Sequence, residues 1–326
     1  MGTEDPQLAD GGATQGAASG APQPVAEAVA SPHVLDLAYG YLANDVLVPC
    51  PTGFAILDKH LCGGFIPSGI YTIAGGTGVG KSSLILAIAQ RLAFDYGKRV
   101  VYLSLEMTGE ELIERAICQS TRKTIPQLHQ IREAGQLETL LKPFLALCKA
   151  SKFRIEDQRK ASLDDLEVLF DEMRRVGEPI PDVLVIDHVQ QQSFAEGMSR
   201  TEAVANYMGD LKDFAKRYRL IVLLASQINR EGRKESRAES FHLKQSSAIE
   251  ENSDVVLLCH REDLREPAPD VEAPVEPVEF KLRIAKHRRG PRSELTLMFH
   301  PDRYAFDEPE SGWTPKRNTT ETILVV

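Results

Sequence analysis

With 326 residues, 42% of them hydrophobic, the chain is long enough for one large domain or two ordinary ones and needs no staple to hold its core. Its formal charge of −9 argues against indiscriminate attraction to nucleic acid, and no run of 18 apolar residues or signal-peptide pattern appears, so a cytoplasmic protein with no membrane span is the expectation. The five cysteines, Cys50, Cys62, Cys118, Cys148 and Cys259, are widely spaced with no Cys-x-x-Cys pair, and they read as buried thiols in a reducing compartment.

Residues 1–30 are almost all Ala, Gly, Pro, Gln and acids, too poor in apolar bulk to offset the entropy of ordering, and are expected to form a disordered tail. Residues 31–47 read as a short linker helix, with Ser31-Pro32 as a candidate N-cap pair and Val34, Leu35, Ala38, Tyr39 and Leu42 at helical spacing. Its apolar face would pack on its own domain or dock on a neighbouring subunit.

A βα alternation follows, which points to an α/β fold with a mostly parallel central sheet flanked by helices. Short runs of Val, Ile and Leu predict strands at Ile70–Ala74, Val100–Leu105, Val183–Ile186, Ile221–Ala225 and Val255–Cys259. Helices are predicted over Lys81–Phe94, Gly109–Gln119 and Val204–Tyr218. The segment 261–279 carries four prolines and seven carboxylates and reads as an exposed acidic insertion. Phe280–Ala285 and Glu294–Phe299 then form a closing pair of strands around the turn Arg289-Gly290-Pro291, before a C-terminal tail at 309–326.

The run Gly75-Gly76-Thr77-Gly78-Val79-Gly80-Lys81-Ser82-Ser83 fits G-x-x-x-x-G-K-[ST] between a predicted strand and a predicted helix. Its glycines let backbone N–H groups turn inward around phosphate oxygens. Lys81 reaches the outer phosphates, the Ser82 hydroxyl holds Mg²⁺, and the helix N-terminus adds its dipole. Val183–Ile186 ends in Asp187, placed to support Mg²⁺ as the second nucleotide motif. Glu106 follows Val100–Leu105, and if that strand lies beside the loop's own strand its carboxylate enters the same crevice and polarises the attacking water. An ordinary surface glutamate is the competing reading. Gln227, after Ile221–Ala225, is a candidate γ-phosphate sensor or simply polar surface.

Together these motifs resemble the C-terminal motor domain of DnaB-type replicative DNA helicases, a branch of the RecA-like P-loop NTPases. The match runs through Pro51-Thr52-Gly53-Phe54 with Leu57-Asp58 and Gly63-Gly64, Ser104-Leu105-Glu106-Met107, Ala225-Ser226-Gln227-Ile228-Asn229-Arg230, the stretch Gln245 to Val256, and Ala285-Lys286-His287-Arg288-Arg289-Gly290-Pro291. The resemblance implies a RecA-like ATPase and helicase domain over residues 48–308 that uses ATP and Mg²⁺. Glu106 is implied as general base and Gln227 as sensor. Lys286 and Arg288 are implied to reach the next subunit's ATP site in a homohexameric ring.

In such rings the loop after the sensor strand faces the central channel. Arg230, Arg233, Lys234, Arg237 and Lys244, with Arg200 near the preceding loop, are the candidate contacts to single-stranded DNA phosphates. Three features depart from the family pattern: His188-Val189-Gln190-Gln191-Gln192 stands where an aromatic residue and a more apolar run are usual, the acidic insertion at 261–279 is additional, and the tail and short helix stand where full-length helicases carry a collar that recruits primase. A phage, plasmid or accessory helicase is the resulting expectation, with primase or a loader as an open partner. The alternatives are a DNA-binding ATPase like RecA, RadA or KaiC that does not unwind, and a nucleotide-dependent loader or scaffold.

Overall fold

The computed structural model describes residues 33–43, 48–157, 162–188, 199–228, 247–261 and 276–309. They fall into two units divided after Val46. The first contains one helix, α1 (Val34–Leu42). Its cap is His33 rather than the expected Ser31, which lies outside the described residues with Pro32: the His33 ring accepts from Leu35 N at 3.2 Å, and Asp36 accepts from His33 N at 3.2 Å. Val34, Leu35, Tyr39 and Leu42 are exposed.

The second unit is built on one nine-stranded sheet. In chain order its strands are β1 (Gly69–Gly75), β2 (Val100–Ser104), β3 (Phe153–Asp157), β4 (Val183–Asp187), β5 (Ile221–Gln227), β6 (Val255–His260), β7 (Val278–His287), β8 (Ser293–His300) and β9 (Ala305–Asp307). They lie in the order β3-β2-β4-β5-β1-β6-β7-β8-β9. From β3 to β6 every pair is parallel, and β6 to β9 form an antiparallel meander. The sequence pattern misses β3, whose exposed Arg154 and half-buried Glu156 lack an apolar run, and the three-residue β9. The condition that β2 lie beside β1 is not met, since β4 and β5 separate them.

Helices cover both faces, as buried parallel strands require. On one face α3 (Lys81–Phe94) and α4 (Gly109–Thr121) pack over Tyr71, Ile73, Tyr102, Val185 and Leu223. On the other, α7 (Leu163–Arg175) and α8 (Arg200–Tyr218) pack over Ile70, Val101, Leu103, Leu184 and Val222. Alternate residues of the same strands thus feed the two cores, the period-two rule of a pleated strand. The remaining helices are α2 (Ala55–His60), α5 (Ile125–Glu133), α6 (Leu137–Ala150) and α9 (Ser247–Asn252). Among the described residues no helix is long and apolar enough to cross a membrane.

Local chemistry sets several boundaries. Helix α8 begins before the expected Val204 because Ser199 and Glu202 form a capping box: Glu202 N donates to Ser199 Oγ at 3.3 Å and Ser199 N to Glu202 Oε2 at 3.1 Å. The acidic insertion is shorter than 261–279. Arg261 is buried, and Val278 and Glu279 already belong to β7; residues 262–275 lie outside the described set, as do the tails at 1–30 and 310–326. The cysteines divide as well. Cys50, Cys118 and Cys259 are buried, Cys148 is half-buried, and Cys62 is exposed at a turn with φ +57° beyond α2.

An aromatic cluster joins the meander to the rest. The Phe306 ring lies 4.6 Å from Phe299, 5.0 Å from Phe280 and 6.5 Å from Phe54 between centroids. Phe306→Ala is expected to cost about 3–5 kcal/mol, measured by denaturant unfolding, because the cavity lies among rings that cannot collapse into it. A second expectation concerns Asp58, which accepts from Thr52 N at 2.6 Å. Burial lifts its carboxyl to about 6, against the opposing Thr52 hydrogen bonds. The folded chain therefore binds this proton more tightly than the unfolded one, and stability falls as pH rises from about 4 through 6. Asp58→Asn keeps the acceptor and removes the charge. Its Tm by calorimetry should exceed that of the parent at about pH 7.5, by up to roughly 3 kcal/mol in stability, and the gap should close toward about pH 4.

Candidate active site

Strand β1 delivers its last residue, Gly75, between two neighbours in register, Gln227 of β5 and Cys259 of β6. Beyond it the chain turns through Gly78 at φ +76° and Gly80 at φ +109°, and α3 starts at Lys81. Gly80 is required twice over. Its φ is one that side chains rarely adopt, and a Cβ there would sit 3.1 Å from the Phe280 ring. Gly75 is equally tight, since a Cβ would meet Val79 Cγ1 at 2.9 Å and Cys259 at 3.1 Å.

A cleft of about 420 Å³ opens at this end of the sheet. It is lined by Thr77, Gly78, Gly80, Lys81, Ser82 and Ser83 of the loop, and by Glu106, Asp187 and Gln227. These predicted residues converge although their strands are not all neighbours. Glu106 reaches the cleft from β2 across β4, because the parallel strands end on the same side. Gly76 and Val79 do not line it, but the Gly76 carbonyl accepts from Lys81 Nζ at 2.9 Å and that of Gly75 at 3.1 Å, while Val79 is buried.

Asp187 is buried and accepts from the Tyr102 hydroxyl at 2.7 Å. Burial, and then the adjacent Asp187 carboxylate, push the Tyr102 phenol well above its ordinary range, so it remains a donor. His188 follows directly. Its Nδ1 stands 3.0 Å from Glu106 Oε2, and burial lowers its pKa against the pull of the Glu106 and Asp187 carboxylates, favouring the neutral ring. Cys259 is inert: burial raises its thiol to about 12, with Lys81 opposing.

Two further cleft residues, both cationic, were not singled out in the sequence. Arg115 of α4 lies 4.8 Å from the Tyr304 ring centroid, and Arg261 lies 4.8 Å from that of Phe299. Arg261 alone had a readable clue, as the first residue after a strand that flanks β1. Oxygen donors at Ser82 and Asp187 suit a hard divalent cation. Among the described residues there is no group of three or more His, Cys, Asp or Glu that could hold a metal ion.

Lys286 and Arg288 lie outside this cleft. Lys286 Nζ donates to the carbonyls of Glu250 and Glu251 at 2.6 and 3.0 Å, and burial, then Arg288, lowers its pKa. Arg288 Nη1 donates to Asp254 Oδ1 at 3.1 Å. Asp254 also takes Lys212 Nζ and, at 2.9 Å, Ile70 N. Burial raises the Asp254 carboxyl, but these partners outweigh it and hold it below the usual range. The candidate DNA contacts Arg230, Arg233, Lys234, Arg237 and Lys244 lie outside the described residues. Arg200 opens α8, and its side chain is likewise outside them.

Comparison with known proteins gives a consistent picture. A probable plasmid replicative DNA helicase of Chlamydia psittaci is 27% identical over 273 residues, 81% of this chain and 56% of the relative. A replicative DNA helicase DnaB of Leifsonia xyli subsp. xyli is 29% identical over 257 residues, 76% of this chain and 53% of the relative. The chain thus spans about half the length of the curated relatives it matches. Among solved structures, the ATPase domain of G40P superposes with a TM-score of 0.72 at 24% identity, covering 85% of this chain and 98% of that one. A structure of a DnaB-like replicative helicase and its interactions with primase gives 0.71 at 23% identity, covering 85% and 66%. Both share the RecA-like fold of a mostly parallel sheet flanked by helices. The model of the DnaB-like helicase C terminal domain matches residues 50–308, and the chain belongs to that family.

Proposed function

We propose that the protein is an ATP-dependent DNA helicase of DNA replication that moves along single-stranded DNA as a homohexameric ring. The observation that carries this reading is a division of parts: Lys81, Ser82, Glu106, Asp187 and Gln227 share one cleft, while Lys286 and Arg288 lie outside it, on Glu250, Glu251 and Asp254. The cleft has Arg115 and Arg261 of its own, but the Lys286 and Arg288 pair is held on another face, which suits a site completed by a neighbouring copy.

In this proposal Lys81 and the loop amides orient the outer phosphates of ATP. Ser82 and Asp187 hold Mg²⁺, which when bound neutralises charge on the phosphate oxygens. Glu106 accepts the proton of the attacking water, and Gln227, in register with Gly75, senses the terminal phosphate. Lys286 and Arg288 of one subunit stabilise charge in the cleft of the next. Arg200, Arg230, Arg233, Lys234, Arg237 and Lys244 contact DNA phosphates. Residues 48–308 form the motor, 31–47 the linker, and 1–30 and 309–326 are tails of a cytoplasmic protein. Primase or a loader is left as an open partner of the assembly.

Lys81→Ala should lower ATP turnover by more than about 100-fold and abolish unwinding of a 5′-tailed fork. Unwinding that survived the change would sink the proposal. Arg288→Ala should leave ATP affinity within a fewfold of the parent while stopping turnover in the assembled ring, checked by nucleotide binding, native mass and ATPase on the same sample. ATPase stimulated by single-stranded DNA in a protein that never unwinds the fork would favour the RecA-like alternative.

A further inference from the structure

We infer that His188 is a positioning residue for Glu106, holding one oxygen of the carboxylate so that the other faces the reacting water. This rests on Glu106 being the general base. Strands β2 and β4 pair in parallel, with Ser104 beside Asp187, and the pairing runs one step further, since Leu105 N donates to Asp187 O at 2.8 Å. That bond sets the two strand exits side by side. Glu106 leaves one and His188 leaves the other.

The two side chains differ in how firmly they are held. His188 is 4% exposed and Glu106 is 49% exposed. A half-exposed glutamate with three rotatable torsions spends much of its time turned into solvent unless a partner fixes it. The buried imidazole is that partner: its Nδ1–H donates to Glu106 Oε2 at 3.0 Å. Oε2 is thereby occupied, and Oε1 is left for water.

Geometry also specifies the substitutions. An asparagine at 188 places an amide N–H about where Nδ1 lies, whereas a glutamine places it one bond further out, near Nε2. His188→Phe should lower the kcat of DNA-stimulated ATP hydrolysis by about 10- to 100-fold, with the KM for ATP changed less than about twofold, because a misplaced base slows the chemical step without weakening phosphate contacts. His188→Asn should recover kcat to within about threefold of the parent, and His188→Gln should not.

A Phe variant with parental kcat would overturn the inference, as would an Asn variant no better than Gln. If the Phe variant does not fold, judged by circular dichroism and nucleotide binding, the Asn and Gln comparison decides by the same criterion. Glu106→Gln, measured alongside, separates the two levels. If it hydrolyses ATP at the parental rate, the general-base assignment itself falls and this inference with it. If it is inactive while His188→Phe is normal, only the positioning role is lost.

Discussion

The cleft depends on one close approach: Gly80, at φ +109°, lies against the Phe280 ring, where a Cβ would come within 3.1 Å of Cε2. That contact fixes where the loop stops and α3 starts, so the Lys81 side chain and the helix N-terminus address the same space. It also explains the antiparallel meander. Strands β7 to β9 carry the rings of Phe280, Phe299 and Phe306, and these form the wall on which the loop rests. Nucleotide chemistry and core packing are therefore linked through a single glycine.

The parallel strands do the complementary task of gathering groups from distant positions. Because β1, β2, β4 and β5 end on one side, Gln227 arrives beside Gly75 and Asp187 beside Ser104 without any loop having to reach far. The acids are held by different means. Asp187 is locked by the Tyr102 hydroxyl in a buried setting, while Glu106 stands half in water with the His188 ring as its partner. The difference matches the roles proposed above, a metal-supporting Asp187 and a general base at Glu106.

Much of this was legible in the residues. The runs Val183–Ile186 and Ile221–Ala225 announce strands covered on both faces, and the glycines before Lys81 announce the loop and the first residue of α3. Strand order was not legible, because which parallel strands become neighbours is decided by how crossover helices pack and not by any local pattern. Hence whether β2 lay next to β1 stayed open until the sheet order β2-β4-β5-β1 was known. Strand β3 hid for another reason: exposed Arg154 and half-buried Glu156 make it look like surface. The Ser199 to Glu202 box could have been read and would have moved the start of α8. Arg115 and His188 acquire meaning only from the groups they face, Tyr304 and Glu106, and these are distant in the chain.

The margin of the sheet at β3 has a consequence for how copies can meet. A bare edge invites another strand to add on and extend the sheet without limit. Here the outermost parallel strand carries an Arg154 to Glu156 ion pair at 2.7 Å, with Arg154 also 3.4 Å from Glu178. Charges planted there oppose strand addition, so association through a continuous sheet is disfavoured. In the homohexamer proposed above, subunits would therefore meet through other surfaces than this edge.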